Sequence, residues 1–181
     1  MQSFKYSERY YWRCSTLVLL LIFATLFVGN PLQQWWTDQN SHAVVFLVSM
    51  LLIGASLFMG GFSYRDRWEL WALRLGLTAV FMMFLLRLSA SERSHIIEYC
   101  ILTYCVFKAL STRYRGQRKL GIIHLQSAAL CICTAFVDEG LQALLPQRVG
   151  SWEDIIFDIG AVGFALGVIA ILAWGKKIIL N

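Results

Sequence analysis

The stretch DEGLQALLPQRVGSWEDIIFDIGAVGFALG, residues 138–167, sets Asp138, Glu139, Gln142, Arg148, Glu153, Asp154 and Asp158 beside two strongly apolar segments. A second polar group, His95 and Glu98, lies upstream in RSHIIEYCIL. Carboxylates can carry protons or ligate cations through oxygen, and a histidine adds acid–base chemistry and admits a transition metal. Arginine offers paired donors to the oxygens of a phosphate or a carboxylate. Such side chains are expensive at a membrane helix end, so they are the first place to look for function. Brought together in a partly desolvated pocket, the carboxylates repel one another, and arginine, histidine, hydrogen bonds or a cation must offset that repulsion.

Spacing makes convergence possible. His95 and Glu98 are three residues apart, as are Glu139 and Gln142, while Asp138 and Gln142, and Asp154 and Asp158, are four apart. Each pair can therefore share one helix face. His95 is a candidate general acid or base with Glu98 as its orienting partner, and Asp138, Glu139, Asp154 and Asp158 are candidate proton carriers or cation ligands. Arg148, Gln142, Glu139 and Tyr99 are candidate ligand-binding residues, with Arg148 equally able to serve as an internal counter-ion. No compact metal motif of the HExxH kind occurs, so the cofactor stays open. Ser151 has no nucleophile-elbow context and reads as a helix-start cap before Asp154.

The elements that must position these residues are membrane helices. Of 181 residues, 58% are hydrophobic and 15% charged, and mean hydropathy is +0.60. Those values fit a polytopic all-α membrane bundle and exclude an ordinary water-soluble domain. Requiring roughly 20 mostly apolar residues per crossing gives six segments, at residues 14–28, 42–62, 70–88, 95–110, 120–144 and 154–174. The first and fourth are short unless flanking residues extend them. Lys5, Arg9, Arg13, Arg65, Arg67, Arg113, Arg115, Arg118, Lys119, Lys176 and Lys177 all fall on one side of a six-helix topology. Short cytoplasmic loops retain lysine and arginine, so both termini are expected in the cytoplasm and the acidic cluster on the opposite face. A basic start before an apolar run also fits a signal peptide, but no clean A-x-A site follows, which favours an uncleaved first helix.

Other conspicuous residues have structural readings. Gly160, Gly163 and Gly167 suit close helix approach, Gly163 and Gly167 forming a GxxxG pattern, with the fifth segment as the expected partner and a homodimer seam as the alternative. Arg74 and Lys108 sit near inner helix ends, where long stems reach water. His124 lies near the cytoplasmic end, away from the acidic cluster. Cys14, Cys100, Cys105, Cys131 and Cys133 all fall in or beside apolar segments and read as packing residues rather than disulfide or metal ligands. The pI near 9.1 comes from the basic loops, where Arg113–Lys119 can meet anionic headgroups; no nucleic-acid motif accompanies it. No sustained internal repeat or broken-helix pair supports a transporter.

His95, Glu98 and Tyr99, together with the ordered set Glu139, Gln142, Pro146, Arg148, Ser151, Asp154, Asp158 and Gly160, resemble the VanZ-like family of small membrane proteins, named for a teicoplanin-resistance protein. The resemblance covers roughly residues 70–174. It implies a four-helix core over residues 68–181, to which residues 1–67 add a helical hairpin. Asp158 stands where many members have asparagine, which adds a negative charge. The expected function is a multi-pass protein of the bacterial inner membrane whose extracytoplasmic polar pocket binds an anionic lipid or lipid-linked envelope precursor, affecting envelope properties or glycopeptide response. The partners so implied are membrane lipids. Two alternatives are a non-catalytic accessory subunit packed in a larger membrane complex or homo-oligomer, and a membrane hydrolase using His95 and the carboxylates.

Overall fold

Every regular element of the computed structural model, which describes residues 7–35, 68–88, 90–146 and 150–180, is an α-helix. In chain order these are α1 (Glu8–Trp35), α2 (Trp68–Leu86), α3 (Ala90–Arg113), α4 (Leu120–Leu144) and α5 (Trp152–Leu180). The second expected segment, residues 42–62, lies outside the described residues, as do Lys5, Arg65, Arg67 and Arg148. The two segments that looked short are extended: α1 has 28 residues and α3 has 24, because polar residues flanking each apolar run continue the helix.

α4 begins and ends where its apolar run does, and Pro146 supplies the stop. A proline disfavours helical backbone in the residue before it, and Leu145 is extended at φ −88° and ψ 128°. Ser151 starts α5 as expected, its Oγ accepting a hydrogen bond from the Glu153 N–H at 3.1 Å. That contact satisfies one of the amides a helix start leaves open.

Among the described residues three helices, α2, α4 and α5 (over Trp152–Ile179), are long and apolar enough to cross a membrane. On a helix rising about 1.5 Å per residue, Trp152 and Trp174 stand roughly 33 Å apart along α5, close to the thickness of a hydrocarbon core of ~30 Å. Both indoles are largely exposed, as befits interfacial anchors. Lys176 and Lys177 follow Trp174, so the basic residues and the acidic cluster lie at opposite ends of α5.

The chain divides into two compact units. One contains Met1–Asn30 and Ser94–Leu166; the other contains Pro31–Arg93 and Gly167–Asn181. In the first unit α3 is the most enclosed helix, burying Ile96, Tyr99, Leu102, Thr103, Cys105, Val106, Phe107, Ala109 and Leu110. Protein rather than lipid covers it, which accounts for a helix able to carry charged residues at both ends. α4 buries the stripe Ile123, Ser127, Cys131, Ala135, Asp138, Glu139 and Gln142, a three-to-four-residue period that directs one face inward. α5 contributes Ile155, Asp158, Ala161, Val162 and Ala165. The Cys100 thiol donates to the Ala161 carbonyl at 3.5 Å, tying α3 to α5.

In the second unit Leu70, Arg74, Phe81 and Leu85 form the buried face of α2. Arg74 corrects the expectation of a stem reaching water: it is buried, with its guanidinium 5.3 Å from the Trp71 ring centroid. The ring's negative face takes over part of the stabilisation that water would supply. All five cysteines are free thiols.

Candidate functional site

Three helices of the first unit bring the polar side chains to one place. His95 lies in the second turn of α3, Asp138 and Glu139 in the last two turns of α4, and Asp158 in the second turn of α5. One potential ligand atom from each of the four lies within 4.8 Å of the others. His95 Nδ1 stands 3.3 Å from Asp158 Oδ1; the histidine side chain keeps 12% exposure and the aspartate none. At this distance the two form an ion pair when the imidazole is protonated.

A layer of donors surrounds the carboxylates. Tyr99, one helical turn beyond His95, donates its hydroxyl to Asp138 Oδ2 at 3.5 Å. Gln142 Nε2 donates to Glu139 Oε1 at 3.0 Å, and the Ser151 backbone N–H donates to Glu139 Oε2 at 3.0 Å. Asp138 Oδ1 and both oxygens of Asp158 accept no hydrogen bond among the described residues. Asp138, Glu139 and Asp158 are all buried, and Asp158 lies about 9 Å along α5 from the Trp152 level. Buried acceptors normally find a donor, so open valences at this depth mark a centre that the described side chains do not complete.

Of the sequence candidates, the fold gathers His95, Tyr99, Asp138, Glu139, Gln142 and Asp158. The carboxylate at ion-pair distance from His95 is Asp158, while Glu98 and Asp154, both half-buried, lie outside the group of four. Position along the helix explains the selection. His95 and Tyr99 are four apart and point the same way, whereas Asp158 is one turn deeper than Asp154 and meets α3 there. Arg148 lies outside the described residues.

Gly150 is the residue that sequence reasoning missed. A Cβ there would come within 2.8 Å of the Glu139 carbonyl oxygen and 3.0 Å of Ala143 Cβ. Only hydrogen in place of a side chain lets the chain pass against the last turn of α4 and deliver the Ser151 amide to Glu139. The available signal was a glycine immediately before a helix cap. Conversely, a Cβ at Gly160, Gly163 or Gly167 would meet nothing within 4 Å among the described residues. The tight glycine approach in this part of the chain is at a loop instead.

A family model described as VanZ/LLP1 matches residues 16–175, a span that begins within α1 and takes in all the residues of the polar centre. No curated protein and no solved structure matches the chain.

Proposed function

We propose that this chain, which belongs to the VanZ/LLP1 family, binds an anionic lipid or a lipid-linked envelope precursor at the polar centre of α3, α4 and α5. The centre would then face the extracytoplasmic side of the bacterial inner membrane, opposite the basic helix ends. One observation carries the reading: buried carboxylate oxygens of Asp138 and Asp158 have open acceptor positions, Asp158 within two helix turns of Trp152 along α5. A lipid-linked glycan suits such a site, because its hydroxyl and amide groups are donors to carboxylates. Its phosphates fall to Arg148, whose guanidinium fork matches their geometry. Occupancy of this site would influence the envelope and the response to glycopeptides.

The test is the lipid that accompanies the protein through mild extraction, measured by native mass spectrometry. Wild type should retain a lipid-linked species that Arg148→Ala and Glu139→Ala each lose by about tenfold, the loss of roughly one charge-assisted hydrogen bond. Equal retention by inserted, folded variants overturns the reading. The His95–Asp158 contact favours hydrolysis at the same centre as a second reading, since an acid beside an imidazole orients it for proton transfer. Unchanged turnover of extracted envelope lipids by His95→Ala would remove it.

A further inference from the structure

We infer that His95, Asp138, Glu139 and Asp158 together hold one divalent transition-metal ion. The four come from three helices and place one ligand atom each within 4.8 Å of the rest. The 3.3 Å between His95 Nδ1 and Asp158 Oδ1 matches neighbouring ligands on a four-coordinate ion, which at bond lengths of 2.0–2.1 Å stand about 3.4 Å apart. Asp158 is fully buried, and neither of its oxygens accepts a hydrogen bond among the described residues. Asp138 is 2% exposed and its Oδ1 is equally unpartnered. A carboxylate that is ionised in this setting needs positive charge beside it, and His95 meets only one of the Asp158 oxygens.

The surrounding donors have the form of a supporting layer around a metal. Tyr99 holds Asp138 by Oδ2 and leaves Oδ1 turned inward. Gln142 and the Ser151 amide hold Glu139 by one lone pair on each oxygen, and a carboxylate oxygen has a second lone pair to give. Such outer contacts fix ligand orientation and hold the site open for its ion. Charge agrees: with the ion bound, three ionised carboxylates and a neutral imidazole carry −3, which a divalent ion reduces to a single negative charge. The donor set selects among ions. One imidazole nitrogen with three carboxylates suits Zn2+ or Mn2+, whereas Ca2+ takes six to eight oxygens and Mg2+ keeps several waters. The inference does not rest on lipid binding: the ion takes Asp138 Oδ1 and one Asp158 oxygen, and the second Asp158 oxygen stays open to a lipid-linked donor.

The experiment uses the full-length chain purified in detergent without added lipid, stripped with chelator, equilibrated with Zn2+ or Mn2+ and desalted. Elemental analysis should give one ion per chain for wild type. Affinity should fall by more than about 100-fold in Asp158→Asn and His95→Ala, beyond the 10–100-fold that orienting residues cost, and stay within about twofold in Asp154→Asn and His124→Ala. No ion retained by folded wild type, or equal retention by the ligand variants, overturns the inference. Should Asp158→Asn fail to insert, Co2+ in the wild-type protein decides. The visible d–d bands of a four- or five-coordinate ion support the site, and the weak spectrum of the hexaaqua ion overturns it. Because lipid is absent throughout, failure here leaves the lipid reading standing, and loss of co-purifying lipid leaves this one standing.

Discussion

The two ends of the α3–α4 pair treat their charges in opposite ways. At the basic end, Lys108 lies over the Tyr104 ring at 5.5 Å, Arg118 over Tyr114 at 4.1 Å, and Arg113 reaches Glu8 at 4.0 Å in the open. His124 rests its ring on Phe107 with centroids 4.7 Å apart and sets Nδ1 2.9 Å from the Leu120 carbonyl. At the other end, His95 sits among three buried carboxylates with unfilled acceptor positions. The difference is side-chain length against depth. Lysine and arginine have stems long enough to carry charge to water or to an aromatic face, while an aspartate about 9 Å inside an anchored helix cannot reach out. Two histidines at comparable positions in their helices thus have different chemistry. His124 has Nδ1 at a carbonyl and only Nε2 without a partner among the described residues, whereas His95 belongs to a set of three buried carboxylates that something further completes.

The largest effect that separates the two ends is stabilisation by the ion. At 100 times its Kd, a ligand bound only by the folded state adds about 2.7 kcal/mol. Melting of the detergent-purified protein should therefore shift upward with Zn2+ or Mn2+ for wild type and His124→Ala, and remain unchanged for His95→Ala. A shift that survives in His95→Ala, or disappears in His124→Ala, would erase the contrast between the ends.

The two loops offer the next contrast. Gly116, between α3 and α4, has φ +74° and open space around the position of a Cβ, so its requirement is conformational. Gly150 lacks room rather than conformational freedom. Gly116→Ala should cost about 1 kcal/mol through backbone strain alone and leave ion affinity unchanged. Gly150→Ala should cost about 1–3 kcal/mol from overpacking and weaken the ion as well, because the Ser151 amide is pushed off Glu139. Thermal melts with metal titration of both variants check this. Equal ion affinity in the two would mean that the Gly150 passage does not serve the site.

These cases show how far the sequence reaches. The limits of α4 were legible because an apolar run and a proline are local signals, and a capping serine before the acidic first turn of α5 is local too. The ends of α1 and α3 were less so, since polar residues that continue a helix look like loop in a hydropathy reading. Helix spacing made convergence of His95, Asp138, Glu139 and Asp158 possible. The choice of Asp158 over Asp154, and its place beside His95 rather than Glu98, did not follow from spacing, because it depends on the depth and rotation at which helices meet. Gly150 lay beyond local reading for a related reason: its role is set by Glu139 and Ala143, more distant in sequence and adjacent in space.

Tyr99→Phe probes the supporting layer at the acidic end. The hydroxyl contributes one long contact, 3.5 Å to Asp138 Oδ2, so its loss should weaken ion binding about tenfold, the lower end for an orienting residue, with little change in fold. Titration of the ion into the folded variant measures it. An unchanged affinity would leave Asp138 oriented by packing alone.

The smallest effect belongs to the basic end. Arg113 and Glu8 pair at 4.0 Å with both side chains well exposed. Solvent and salt screen such a pair, and ordering two long side chains offsets what remains, so a double-mutant cycle of Arg113→Ala and Glu8→Ala should yield a coupling under about 0.5 kcal/mol. A coupling several times larger would show that this end, too, holds its charges in a water-poor setting. The contrast in solvation that separates His124 from His95 would then have to be drawn from the carboxylates alone.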